Sequence, residues 1–98
     1  MNMQNLMAQA QKMQREISKK QEEIYEKNFV GSSEWVDVTV TGRKSIVKID
    51  FKYDGNINED RDLLADMITI ALNDAFKKVE EEIESKLGVY SKQLGGLF

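Results

Sequence analysis

The sequence predicts an α+β fold with the order α-β-β-β-α, two long helices around a small antiparallel sheet. Three observations predict it. The stretch Asp60–Leu87 carries apolar residues at helical spacing without a proline to break it. The stretch Met3–Lys27 repeats a narrower apolar seam at the same kind of spacing. Between them, Trp35–Thr41 and Lys44–Lys52 alternate with period two.

In the first helix the seam is Met3, Leu6, Ala10, Met13, Ile17 and Ile24, interrupted by Lys20. Such a helix is poorly stable alone and needs a partner. Lys12, Arg15 and Lys19 fall together on the face opposite the seam. Two readings weigh evenly. One is a solvated face with local pairs, Lys12 to Glu16 and Lys19 to Glu23. The other is a row of phosphate contacts.

The β region opens with Phe29-Val30 before a Gly31-Ser32-Ser33 turn. A two-residue Gly42-Arg43 loop, glycine first, fits a type II′ hairpin. That loop pairs Val36 with Ile49, Val38 with Val47 and Asp37 with Lys48. Val36, Val38, Val40 and Phe51 then form one apolar face, expected to cover the first half of the long helix. Trp35 falls on the other face with Asp37, Thr39 and Ile46. Packing or an interface suits it better than base stacking, because one isolated aromatic makes a poor platform.

The long helix changes character halfway. Leu63, Leu64, Met67, Ile68, Ile70, Ala71, Leu72, Ala75 and Phe76 cover more than half of its circumference, so this part is buried on two sides. From Leu72 on, the seam narrows to Phe76, Val79, Ile83 and Leu87, flanked by charge, as in an arm that wants one partner helix. Asn56 or Asn58 can cap its start, with Glu59, Asp60 and Asp62 favoured there by the helix dipole. Gly88 reads as its stop, leaving 88–98 as a flexible tail.

A chain of 98 residues reads as one domain, 1–98. It holds no cysteine and no histidine, so disulfides, thiolate metal sites and the commonest general base are missing. No Gly-rich phosphate loop and no nucleophile with a base is present. Asp60, Asp62 and Asp66 fit dipole complementation better than a metal site. An enzyme, a cofactor, a metal and a small-molecule substrate are therefore not expected. No apolar run approaches 18 residues, so no membrane span is expected, and MNMQNLMAQAQ lacks the apolar core of a secretory signal.

The net charge of −3 is unevenly placed. Lys12, Arg15, Lys19 and Lys20 outweigh Glu16 in residues 1–21, whereas 54–98 hold ten acidic against five basic residues. A local basic patch on an acidic chain is the result. The helix of about 28 residues would span roughly 42 Å, too long for so small a sheet to cover. A second copy is expected to complete the seams through Ile17, Trp35, Phe76, Val79 and Ile83.

The chain also resembles, end to end, the YbaB/EbfC family of nucleoid-associated proteins. NMQNLMAQAQKMQREI resembles that family's Met/Gln-rich first helix. WVDVTVTGRKSIVKIDF resembles its V-x-V-x-x-N-G hairpin and following strand. LLADMITIALNDAFKKVEE is similar to its L-x-D-L-x-x-x-A-x-N-D-A-x-K-K segment, with Asn73, Asp74 and Ala75 in place. LGVYSKQLGGLF resembles its Gly-rich ending. Ser32-Ser33-Glu34 stands where the family often has a glycine run, and Thr41 replaces the usual Asn before Gly42. The resemblance implies a small cytoplasmic bacterial homodimer, tweezer-like, that binds duplex DNA and helps to organise the nucleoid. Lys12, Arg15, Lys19 and Lys20 are then the expected phosphate contacts, with Lys77 and Lys78 weaker candidates on the other arm. Nothing in the sequence identifies a base-reading helix. The rival is a dimeric protein-interaction module that binds no DNA.

Overall fold

A computed structural model of the chain describes residues 2–93. It has the expected order: α1 (Met3–Glu26), β1 (Asn28–Ser32), β2 (Val36–Thr41), β3 (Ile46–Phe51) and α2 (Arg61–Gln93). The strands form one antiparallel sheet in the order β1-β2-β3.

The Asn2 side chain caps α1, accepting from the N–H groups of Gln4 and Asn5 at 2.7 and 3.4 Å. Lys27 is already extended, so α1 passes into β1 within one residue. At the other end, Asp60 accepts the Leu64 N–H at 2.8 Å and opens α2.

The core lies where α2 crosses β1 and β2. Val36, Val38 and Val40 of β2 are wholly buried on that side. Ala71 and Ala75 of α2, equally buried, bring the helix backbone onto β1. Gly31 is required at this contact, because a methyl there would overlap the Ala71 carbonyl and the Ala75 backbone. Two side chains then clasp the outer edge of β1. Asp74 accepts the Ser32 N–H at 3.0 Å, and Lys78 donates to the Val30 carbonyl at 2.7 Å. The edge groups of a strand thus find partners on a helix.

The hairpin register differs from the sequence-based one. The loop is Gly42–Ser45, not Gly42-Arg43. Thr41 closes it, its N–H donating to the Ser45 carbonyl at 2.9 Å and its hydroxyl accepting from the Arg43 and Ser45 N–H groups, each at 3.3 Å. Lys44 takes the left-handed conformation, φ 66°. Val36 consequently faces Phe51, Val38 faces Ile49, and Thr39 faces Lys48. A shift of two residues keeps the faces, since side chains alternate with period two. An irregularity at Thr39/Val40 sets Ile46 opposite Val40, moving it off the Trp35 face where it was expected. Asp37 faces Asp50 instead of Lys48, and its charge is met by Lys52 at 3.1 Å.

Two further expectations are corrected. The hairpin covers α2 only through β1 and β2; β3 makes no contact with α2, and its apolar side chains stay open. Gly88 does not stop α2, which continues to Gln93. Leu87 and Tyr90 are buried on either side of it, and the Tyr90 hydroxyl donates to Glu16 at 3.4 Å. Burying two large side chains on α1 outweighs the roughly 1 kcal/mol that a helical glycine costs. The helix therefore claims residues 88–93 of the expected tail; 94–98 lie outside the described residues.

The partner of the narrow seam is α1 of the same chain. Ile17 and Ile24 are buried with Val79, Leu87 and Tyr90 in one apolar cluster, and Ile83 packs on it. Lys27 with Glu82, and Lys44 with Glu80, tie the base of this arm by ion pairs. The molecule is accordingly long, 70 × 21 × 13 Å, with a radius of gyration of 19.3 Å. A compact chain of this length would have about 13 Å.

Gly31 and Gly88 predict opposite outcomes on substitution. Gly31→Ala must push α2 off the sheet and should destabilise by about 3 kcal/mol or more. Gly88→Ala meets only the far end of the Glu84 side chain and should stabilise by about 0.5–1 kcal/mol. Denaturant unfolding of the two variants measures both; equal signs would contradict the packing described.

Candidate nucleic-acid interface

Seven basic side chains of the described residues are occupied by carboxylates. Lys27 pairs with Glu82, Arg43 with Glu22, Lys44 with Glu80, Lys48 with Asp50, Lys52 with Asp37, Lys77 with Glu81 and Lys78 with Asp74. Lys12, Arg15 and Lys19 are not among them, and all three are exposed. The local pairs that would neutralise them, with Glu16 and Glu23, do not form. Helical geometry puts the three within a narrow arc opposite Ile17, which is buried against α2. They span about 10 Å along α1. The result is a row of free cations held on the outer face of a helix whose inner face is anchored.

The other predicted contacts are placed differently. Lys20 turns back, its ammonium 5.1 Å from the Tyr90 ring centroid, and contributes to the arm. Lys78 is committed to Val30 and Asp74 at the β1 edge. Lys77 is exposed, with Glu81 at 4.0 Å. Lys12, Arg15 and Lys19 thus form one group, and Lys77 and Lys78 do not join it. The sequence could not show that Lys78 is spent on a strand edge, because that bond spans 48 positions.

The residues expected between copies are also mixed. Ile17 and Val79 are buried within one chain. Phe76 and Ile83 are half-buried against the core. Trp35 is half-buried, with the Tyr53 ring tilted against it at 4.8 Å. Tyr53 in turn donates to the Asp60 carboxylate at 2.7 Å, linking the sheet to the start of α2. Uncovered apolar surface lies instead on β3. Phe51 is 57% exposed, Val47 56%, Ile46 50% and Ile49 38%.

Nothing among the described residues is arranged for catalysis or metal binding. No group of three His, Cys, Asp or Glu residues could hold a metal ion. A groove of about 380 Å³ between the helices is lined by Gln21, Ile24, Tyr25, Ile83, Glu84, Leu87 and Gly88. It offers no nucleophile with a base. No described helix is long and apolar enough to cross a membrane.

The YbaB/EbfC DNA-binding family matches residues 1–94 of the chain. A nucleoid-associated protein of Enterococcus faecalis is 42% identical over 97 residues, covering 97% of this chain and 93% of that protein. One of Streptococcus suis is 44% identical over 96 residues, covering 96% and 97%. The fold matches the crystal structure of an uncharacterized protein from Helicobacter pylori with a TM-score of 0.71. That match has 25% identity and covers 87% of this chain and 91% of the other.

The charges around α2 give the molecule a defined pH range. The Ser32 N–H, ahead of Lys78, holds Asp74 below the usual carboxylate range, and Lys27 does the same for Glu82. Their contribution is present at neutral pH and fades as pH falls through these lowered values. Removal from water and the bond to Asp60 push the Tyr53 phenol up to about 12. Between about 10, the ordinary phenol value, and about 12 the folded chain binds more protons, so stability falls as pH rises. Tyr53→Phe should remove that alkaline loss. Tyrosinate absorbance should lose the late Tyr53 step in the variant.

Proposed function

The chain belongs to the YbaB/EbfC DNA-binding family, and from that premise we propose that it binds duplex DNA without catalysis, as a homodimer in the bacterial nucleoid. The observation that carries the proposal is the unpaired row of Lys12, Arg15 and Lys19. Free, exposed cations at fixed spacing on a rigid helix match a phosphate backbone and leave base identity unread. Lys20 serves chiefly to hold α1 on α2, and Lys77 and Lys78 are secondary. The names of the relatives, nucleoid-associated proteins, support the same reading.

The homodimer is supported by β3. It is an edge strand with four exposed apolar residues, and a single chain leaves it uncovered. Soluble monomers protect such edges. Ile46, Ile49 and Phe51 face the same side as the buried β2 valines, beside the α2 flank that carries Leu72 and Phe76. A second copy placed there by a twofold axis covers both flanks at once and leaves two cation rows free for DNA. Trp35 and Phe76 border this contact, whereas Ile17, Val79 and Ile83 support it from within each arm.

Two measurements test the proposal. Sedimentation equilibrium should give twice the chain mass of 11.3 kDa, and Ile49→Lys with Phe51→Lys should return a folded monomer. Replacing Lys12, Arg15 and Lys19 by Ala should leave circular dichroism and mass unchanged while weakening binding to any duplex. The slope of log K against log salt should flatten by about 0.9 for each phosphate that the variant no longer neutralises. Wild-type binding that is absent at low salt would favour the protein-interaction module instead. An unchanged slope in the triple variant would move the DNA-binding face away from this row.

A further inference from the structure

Glu16 is the only carboxylate in residues 1–21, and it stands among the cations of α1. It follows Lys12 by four positions and precedes Lys19 and Lys20 by three and four, the spacings at which helical neighbours pair. An acid placed ahead of its lysine is the favoured order, so Glu16 is better placed to neutralise Lys19 than Glu23 is. Among the described residues none of these pairs forms. Glu16 instead accepts the Tyr90 hydroxyl at 3.4 Å. The same tyrosine occupies Lys20, whose ammonium lies 5.1 Å from its ring centroid. Tyr90 is buried and so fixed, whereas Glu16 is exposed and swings. A hydrogen bond from a fixed phenol to a charged carboxylate outweighs an exposed ion pair between two long side chains. Tyr90 stands within reach because α2 runs on past Gly88.

We propose that Tyr90 is a positioning residue for the DNA contact. Its hydroxyl draws Glu16 toward α2 and leaves Lys12 and Lys19 to phosphates, while its ring keeps Lys20 on the arm. Glu16 lies about 40° and 60° around the helix from Lys12 and Lys19, at the margin between their row and the α2-facing seam. From there its carboxylate can turn to either side, and Tyr90 decides which. Turned outward, it would neutralise a lysine and repel the phosphate that the lysine should meet. The inference rests on the reading of Lys12, Arg15 and Lys19 as the phosphate row, and it supplies what keeps that row unpaired.

The test is a cycle of Tyr90→Phe and Glu16→Gln, with duplex affinity measured against salt. Tyr90→Phe keeps the ring, so circular dichroism and particle mass should match the wild type. Binding at 0.1 M salt should weaken by about threefold, out of the roughly eightfold that a slope of 0.9 assigns to one whole phosphate contact between 1 M and 0.1 M. The salt slope should flatten with it. Adding Glu16→Gln should restore affinity and slope to those of Glu16→Gln alone, a rescue that a merely loosened arm would not show. In the free protein, the Glu16 side-chain carboxyl resonance should move on Tyr90→Phe. Wild-type binding with unaltered affinity and slope in Tyr90→Phe would overturn the proposal and leave the DNA reading standing. So would a loss that Glu16→Gln does not restore, or a carboxyl resonance that stays in place. A wild type that binds no duplex at low salt would overturn the DNA reading, and this inference with it.

Discussion

A helix of 33 residues, about 50 Å long, crosses a sheet whose strands are five or six residues each, about 20 Å. That mismatch governs the rest of the structure. Over the sheet, α2 must approach closely, and small residues allow it: Gly31 on the strand, Ala71 and Ala75 on the helix. Away from the sheet it must find another apolar partner or expose Val79, Ile83, Leu87 and Tyr90. α1 supplies that partner, and the arm results. The chain is then long in one direction and thin in the other two, a shape suited to lying along an extended ligand rather than enclosing a small one.

Much of this was legible in the sequence, for a physical reason. Periodicity reports which face of an element is apolar, so both helices and the β2-β3 hairpin followed from spacing; β1 was read only as Phe29-Val30 before a turn, and the strand runs on through Gly31 and Ser32, which were expected to turn. The change in α2 from a wide apolar face to a narrow seam separated core from arm, but the expected burial of the wide face on two sides is not met within one chain, where Leu63 is 46% and Ile70 52% exposed. What spacing does not report is the partner. Two matching seams can meet within one chain or between two, and here Ile17 and Val79 meet within one. Loop chemistry was the other gap. Gly42-Arg43 has the composition of a tight turn, but Thr41 can close a longer loop with its hydroxyl, and Lys44 accepts a left-handed conformation. Gly88 misled in the same way, because a local stop signal of about 1 kcal/mol competes with burial worth more.

The candidate site was legible in part for a related reason. Helical spacing showed that Lys12, Arg15 and Lys19 share a face. Whether a cation is free depends on contacts far apart in sequence, and those sorted the candidates. Lys78 is consumed by β1, Lys20 by Tyr90, and Lys44 by Glu80. The same bonds that build the fold therefore select the cations left for a ligand.

That sorting also reconciles a chain of net charge −3 with the proposed polyanion contact. Net charge governs the field far from a molecule, and salt screens it within about 10 Å at 0.1 M. Among the described acids of the arm that form no ion pair, Glu84 sits on α2, and Glu16 and Glu23 sit on α1 at the margin of the row, where three cations outnumber them. Packed helix axes lie about 8–10 Å apart, and the row on α1 points away from α2. A phosphate backbone laid along that row would meet Lys12, Arg15 and Lys19 at contact distance, with the α2 carboxylates on the far side of the helix pair. The acids nearer the arm's base, Glu80 and Glu82, are already neutralised by Lys44 and Lys27. The local sign is thus positive on one face of an acidic protein, and it depends on the arm holding α1 with its inner face anchored and its outer face bare.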